Sequence, residues 1–138
     1  MSKPLVVYPD PEVAAVDLVQ TLMTLEGESG TVAVGVPEDW TPATGTHVQV
    51  AWDGTPELAH PVVAFPTVRI TVWAAEPSEA KRVALLLQGH LLAHVGGTLR
   101  NIRPLTGVLP AQDPATRAEL ATFTVRCATR STVITPAS

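Results

Sequence analysis

The sequence offers almost no material for covalent cross-links or metal clusters. Its 138 residues include a single cysteine, Cys127, which excludes an intramolecular disulfide and any cysteine-rich zinc site. This cysteine lies within a run in which apolar and polar residues alternate. Such a position is typical of a buried structural thiol.

Charge is also scarce. Charged residues make up 16% of the chain, whereas about a quarter is usual for a globular domain. The net charge of −4 and the pI near 5.4 predict no broad basic patch for DNA or RNA. A surface so poor in charge favours contact with a partner or with further copies of the chain.

Long hydrophobic runs are missing as well. The apolar segment 5–8 is too short for the core of a signal peptide, and no run approaches the length that spans a bilayer. With 46% hydrophobic residues and no low-complexity tract, the chain still predicts one folded domain. We therefore expect a single soluble domain over 1–138, made in a reducing compartment, with frayed ends at about 1–7 and 131–138.

What is present is a series of short elements, separated by thirteen prolines and nine glycines. An Asp-Pro-Glu sequence at 10–12 predicts a helix start, and the apolar spacing after it predicts a helix over about 11–25. A second helix is predicted over about 77–94. The segments 53–65 and 110–116 are predicted as loops. Strands are predicted over 31–36, 47–52, 67–75, 98–103 and 119–130.

The resulting order, α-β-β-β-α-β-β, predicts an α+β fold. Successive strands joined by loops favour a single mainly antiparallel (mixed) sheet of four to five strands, with both helices on its apolar face. A polar opposite face of this kind meets water or a partner. Its predicted side chains are those of His47, Gln49, Arg69, Thr71, Trp73, Thr122, Thr124 and Arg126.

Residues that could support chemistry are few, and each has a structural interpretation. His90 and His94 have the spacing that lets two imidazoles bind one metal, but local sequence positions no third ligand beside them. Asp10 and Glu12 are explained by the helix start. No serine has the context of a nucleophile elbow, and no glycine loop could cradle a phosphate. We therefore predict no enzyme activity, no catalytic residue, no metal and no cofactor.

Several residues are instead candidates for contacts with a partner. Trp40 could plug the core of its own chain or anchor a neighbour. Alternation places Trp73 on the polar sheet face, where we expect it to be exposed. Leu85 and Leu92 make the second helix apolar on more than one face, which indicates burial by another element or another subunit. The predicted interface residues are Trp40, Trp73, Leu85, Leu92, Arg100, Arg103 and Arg126.

Several strings, taken in order, resemble those of a known family. The opening Tyr8-Pro-Asp-Pro-Glu-Val-Ala is similar to an aromatic-Pro-Asp helix entry. Gly35-Val-Pro-Glu-Asp followed by Thr46-His-Val-Gln-Val looks like two strands joined by a proline-containing loop. The stretch 67–75, which leads into a helix over 78–92, is the most characteristic.

The closing Leu109-Pro-Ala-Gln-Asp-Pro and Ala121-Thr-Phe-Thr-Val-Arg extend the resemblance to about 8–130. The family is that of the tail terminator and tail-completion proteins of phages with long, non-contractile tails, the siphovirus-like group with the lambda terminator fold. The chain departs from it at Ala118-Glu119-Leu120, where the family often has an arginine and an aromatic residue entering the last strand.

The resemblance implies a structural virion protein of the tail or neck, assembled in the cytoplasm of the bacterial host. It implies a homohexameric ring that caps the tail tube, ends tail polymerisation and forms the head-tail joining interface. The implied partners are further copies of the chain, the major tail tube protein and the head-tail connector protein. Genomic DNA would pass through the lumen without sequence-specific binding, and no membrane is involved.

A ring subunit needs two different contact patches. The helix flank at Leu85 and Leu92 and the sheet face at Trp73 are our candidates for them. Three alternative functions stay open: another neck protein such as a head-completion or connector protein, a small metal-binding protein or enzyme that uses His90 and His94, and a host-encoded binding module.

Overall fold

The computed structural model describes residues 3–134, which include two α-helices at the places where periodicity predicts them. Helix α1 spans Pro11–Leu25 and begins at Asp10, whose carboxylate accepts the backbone N–H groups of Glu12 at 2.9 Å and Val13 at 3.3 Å. These bonds satisfy two of the free donors at the helix start. Helix α2 spans Pro77–Ala93.

The strands form two sheets. The larger is a mixed sheet of seven strands in the order β2-β3-β6-β8-β5-β4, with β7 paired to β8, and only the β2–β3 pair is parallel. The predicted sheet of four to five strands is therefore wrong. The seven strands are β2 (Thr31–Ala33), β3 (His47–Trp52), β4 (Glu57–Ala59), β5 (Val63–Phe65), β6 (Thr67–Ala74), β7 (Arg100–Gln112) and β8 (Glu119–Arg130).

Two of the unpredicted strands lie in the segment 53–65, which the sequence predicts as a loop. Strands β4 and β5 form an antiparallel hairpin there. Pro66 separates β5 from β6, although both strands continue one register along β8, with Ala64 opposite Thr129 and Thr67 opposite Arg126. Proline lacks the N–H group that a ladder uses, so a single extended path along β8 is divided into two short strands.

Strand β7 is much longer than predicted. It runs for 13 residues instead of ending near Arg103, so that the predicted loop 110–116 begins inside the strand. Alternation fails to indicate its length because Pro104 and Pro110 interrupt the pattern and three register shifts displace its pairing with β8. Proline is tolerated here because β7 is an edge strand within residues 3–134.

The ends of the described chain pair with one another. Strand β1 (Val6–Val7) and strand β9 (Thr132–Val133) form a separate antiparallel sheet. This pairing differs from the prediction that about 1–7 and 131–138 fray. Residues 1–2 and 135–138 of those predicted ends lie outside the described residues.

Both helices pack on the same face of the large sheet, which we call the inner face. One continuous core joins the helices to the inner-face side chains of the three central strands. These inner-face residues are all buried: Val48, Val50, Val68, Ile70, Val72, Ala74, Ala121, Phe123, Val125 and Cys127. The opposite, outer face carries the polar residues that alternation predicts.

Candidate interaction surfaces

Two tryptophans cover one end of the outer face. Trp40 packs edge-on against Trp73, with ring centroids 5.7 Å apart and an interplanar angle of 76°. Trp40 donates its indole N–H to the carbonyl oxygen of Gly45 at 2.9 Å, and Trp73 donates to the side-chain oxygen of Gln49 at 3.1 Å. Only 5% of Trp40 is exposed, so it belongs to the packing of its own chain.

Trp73 is consequently half-buried and is not the lone exposed tryptophan that alternation predicts. The sequence could not show this, because Trp40 lies in the connection after β2 and reaches Trp73 only in the folded chain. A role for Trp73 in an interface stays a prediction.

His47 hydrogen-bonds to the same connection, the segment that follows β2. Its ring is 1% exposed, and both nitrogens have partners at 2.7 Å, the Thr31 hydroxyl and the carbonyl oxygen of Gly35. Because a carbonyl oxygen only accepts, Nε2 donates to Gly35. His47 therefore serves as a buried polar tie between β2, β3 and the segment after β2, although the sequence places it on a face that meets water or a partner.

The flank of α2 is uncovered within the described chain. Leu85 is 56% exposed and Leu92 is 38% exposed, and Val95, just beyond the helix, is 90% exposed. The buried stripe of the helix lies elsewhere, at Ala80, Val83, Ala84, Leu87 and Leu91. The predicted cover for Leu85 and Leu92 is thus not supplied by residues 3–134, which leaves an apolar flank available to another molecule.

A large groove lies beside the end of this helix. It has a volume of about 840 Å³ and lies between the turn after α2, the start of β7 and the end of β8. Arg100, Arg103 and Arg130 line it together with exposed apolar side chains that include Val62 and Leu92. A smaller adjoining depression shares Arg103 and adds Arg126. We call this combined surface the arginine groove.

Two of these arginines have partners in the described chain. Arg100 donates from Nε to the carbonyl oxygen of Gly97 at 2.8 Å. Arg126 forms an ion pair with Glu57, and its guanidinium lies 4.4 Å from the centroid of the Phe65 ring. Arg103 lies opposite Arg126 in the ladder between β7 and β8, so two residues of like charge face each other across the strands.

The structure thus brings together four of the predicted interface residues, Leu92, Arg100, Arg103 and Arg126. Leu85 and the two tryptophans lie outside this groove. Sequence reasoning missed Arg130, although alternation continued from Arg126 through Ala128 would have placed it on the same face.

Sequence reasoning also missed the exposed edge formed by β7. Leu105 and Leu109 are each more than half exposed on this strand. Among residues 3–134, β7 pairs only with β8, so its outer edge presents unpaired backbone groups. The apolar residues after Arg103 could have indicated a longer strand, but the prolines in this segment obscured the pattern.

The two histidines considered for metal binding have separate environments. His90 Nε2 lies 2.5 Å from Oε1 of Glu26, at the end of α1. His94 is the C-cap residue that follows the last residue of α2. Within residues 3–134, no group of three or more His, Cys, Asp or Glu side chains could hold a metal ion.

The remaining candidates for chemistry are tied to local structure. Asp10 caps α1, and Oε1 of Glu12 accepts the backbone N–H of Trp52 at 3.3 Å. Burial raises the pKa of the Cys127 thiol to about 12, which keeps it protonated and weakly nucleophilic at neutral pH. These side chains therefore stabilise the fold.

Neither helix that the structure describes combines the length and the apolar character needed to cross a bilayer. Compared with known proteins, the chain matches no family model, and no curated protein matches it significantly. A function is therefore inferred from the exposed surfaces, above all the arginine groove, the flank of α2 and the edge strand β7.

Proposed function

We propose that the protein is a structural virion component that caps the tail tube of a long, non-contractile phage tail. In this role a homohexameric ring of the chain seats on the finished tube, stops further polymerisation and forms the surface to which the head is joined. Its partners are further copies of the chain, the major tail tube protein and the head-tail connector protein. Genomic DNA passes through the lumen.

The observation that carries this proposal is the presence of two separate exposed apolar surfaces on one small domain. The flank of α2 offers Leu85 and Leu92, and the edge strand β7 offers Leu105 and Leu109. Closed rings use heterologous contacts, in which each subunit joins one patch to a different patch of the next. Two separate apolar surfaces suit such contacts.

Further support comes from the use of the polar residues. Asp10, Glu12 and His47 each bond to backbone groups or to a neighbouring hydroxyl within the fold. Their positions are thus explained by stability, as a structural protein requires. The resemblance to tail terminators over about 8–130 points to the same class of function.

A gene deletion tests the proposed role as a tail-tube cap. The gene is deleted from the phage that carries it, and the lysate is imaged by electron microscopy. We expect DNA-filled heads beside overlong or unjoined tails, and recovery of virions when the wild-type chain is supplied. Normal virions without the gene would overturn the proposal. Tailed particles with empty heads would assign the chain to the connector instead.

Supplied variants connect the role to the surfaces. Leu85→Asn with Leu92→Asn should fold as the wild type, because both side chains are exposed, yet fail to restore tail length. The matched control is Val13→Asn, at an exposed apolar position of α1, and it should restore virions. If the α2 variant restores virions as well as the control does, the helix flank is not one of the ring contacts.

A further inference from the structure

The arginine groove concentrates positive charge on an acidic protein. Four of the seven arginines lie there, while the whole chain has a net charge of −4. Among residues 3–134, Glu57 on Arg126 is the single carboxylate paired with any of the four. A groove with clustered positive charges and low-dielectric walls focuses the electric field, which attracts an anionic group.

An acidic turn on the same chain has the complementary charge. The backbone N–H of Trp40 donates to the carbonyl oxygen of Pro37 at 3.0 Å, which closes a tight turn with Glu38 and Asp39 at its tip. Both acidic residues are exposed, and within residues 3–134 neither forms an ion pair.

Contacts within the chain tie this turn down on both sides. On one side Trp40 is fixed by its contact with Trp73 and its bond to Gly45. On the other side His47 holds the carbonyl oxygen of Gly35. A preordered segment loses little conformational entropy on docking, which favours its use as a contact.

The turn and the groove lie at opposite corners of the sheet. The turn follows β2 at one edge and rests on Trp73, which pairs with Leu120 at the start of β8. The groove lies on the β7 side and includes Ala128 and Arg130 at the end of β8. The two sites are separated by on the order of 25 Å along this strand, so the turn of one molecule does not reach its own groove.

We propose that the acidic turn at Glu38 and Asp39 of one subunit docks into the arginine groove of the next copy of the chain. This contact rests on the proposed ring, since it adds a pair of charged patches to the apolar surfaces that join its subunits. Two different surfaces at opposite corners give a head-to-tail contact, which either closes into a ring or continues as a filament.

A second copy fits the groove better than a nucleic acid does. Exposed Val62 and Val95 stand at the groove, and phosphates gain nothing from apolar side chains. The exposed Val34 precedes the acidic turn by four residues in the chain. The net negative charge of the chain also opposes binding to DNA.

Paired charge reversals test the contact. One variant carries Arg100→Glu with Arg103→Glu, and the other carries Glu38→Lys with Asp39→Lys. Light scattering after size-exclusion chromatography measures assembly of each variant alone and of their equimolar mixture. Each variant alone should assemble at least about 100-fold more weakly than the wild type, because like charges then meet. The mixture should recover assembly, since every turn can meet an opposite charge in alternating subunits.

Charge-matched controls separate this contact from net charge. Two double variants change the same number of charges at exposed positions elsewhere. They are Lys81→Glu with Arg117→Glu, and Asp17→Lys with Glu76→Lys. Both controls should assemble as the wild type, and raised salt should weaken wild-type assembly by screening. A chain carrying Asp39→Cys with Arg103→Cys should form a disulfide-linked ladder on mild oxidation.

Four results would overturn the docking contact. Reversed variants that assemble like the wild type, or a mixture that stays monomeric while the wild type assembles, would reject it and leave the ring in place. A wild-type chain that stays monomeric, with no ladder from the cysteine pair, would reject both the contact and the ring. Binding of short duplex DNA that is lost on reversal of the groove, with assembly unchanged, would assign the groove to nucleic acid.

Discussion

The two faces of the large sheet serve different ends although they alternate along the same strands. Along the middle of β6 and β8 the inner-face residues are apolar and buried beneath the helices, as at Ile70 and Phe123. The outer face carries threonines such as Thr71 and Thr122, whose hydroxyls bond across the strands at 3.1 Å. The inner face therefore accounts for stability, and the outer face and its edges remain available for recognition.

The largest expected effect tests the inner face directly. Phe123→Ala should lower the free energy of unfolding by about 3–5 kcal/mol, because it removes a fully buried ring and leaves a cavity. The adjacent Thr122→Ala, on the outer face, should cost about 1 kcal/mol through its lost hydroxyl bonds. Urea denaturation measures both, and equal costs would remove the distinction between the faces.

His47 is an exception among the polar residues of the outer face, since it is as buried as the core. His47→Leu should cost about 2–3 kcal/mol, because the hydroxyl of Thr31 and the carbonyl oxygen of Gly35 lose their partner. His60→Leu, at an exposed histidine, should stay within about 0.5 kcal/mol. Thermal unfolding of the two variants compares them, and a neutral His47→Leu would contradict the buried tie.

The tryptophan pair should have an intermediate effect. Trp40→Phe keeps an aromatic ring but removes the N–H donated to Gly45, so we expect a loss of about 1–2 kcal/mol. The fluorescence of Trp73 should shift to longer wavelength as its cover shrinks. Trp52→Phe, at a more exposed tryptophan, is the control. An unchanged Trp73 environment would show that Trp40 does not cover it.

A smaller effect depends on pH. Hydrogen bonds from Arg82 hold the pKa of Glu28 below its ordinary value of 4.5. A carboxylate with a lowered pKa stabilises the fold above its ordinary pKa, and that stabilisation is lost as the pH falls through the lowered value. Arg82→Gln should therefore cost about 0.5–1 kcal/mol at pH 7 and nothing in strong acid.

Lys81→Gln is the control for this pH dependence, because Lys81 forms no ion pair among residues 3–134. Its unfolding free energy should follow that of the wild type at every pH. A cost of Arg82→Gln that persists unchanged at pH 2 would show that the arginine acts through its packing instead.

The smallest effect on stability is expected at the sheet edge. Leu109→Ser should change the free energy of unfolding by less than about 0.5 kcal/mol, because the side chain is already more than half exposed. It should nevertheless weaken assembly, measured by light scattering, if β7 joins a neighbouring molecule. A large loss of stability would contradict this prediction and show that Leu109 contributes to the core of its own chain.

Prediction from sequence succeeded where the physical signal was local. Asp10 and the spacing after it marked α1, and alternation in β6 and β8 assigned each side chain to its face. It failed where pairing depended on distant segments. The loop predicted over 53–65 is a hairpin because β8 extends far enough to pair with β5, which no pattern within that segment reveals.

The α+β class, the two amphipathic helices and the buried stripe of the central strands could be predicted from the residues alone, because they follow from periodicity and capping within a few residues. Three features arise only in the folded chain: the seven-stranded sheet, the covering of Trp73 by Trp40, and the groove shared by Arg100, Arg103, Arg126 and Arg130. Each of these joins residues distant in sequence, and their meeting depends on strand register and chain path.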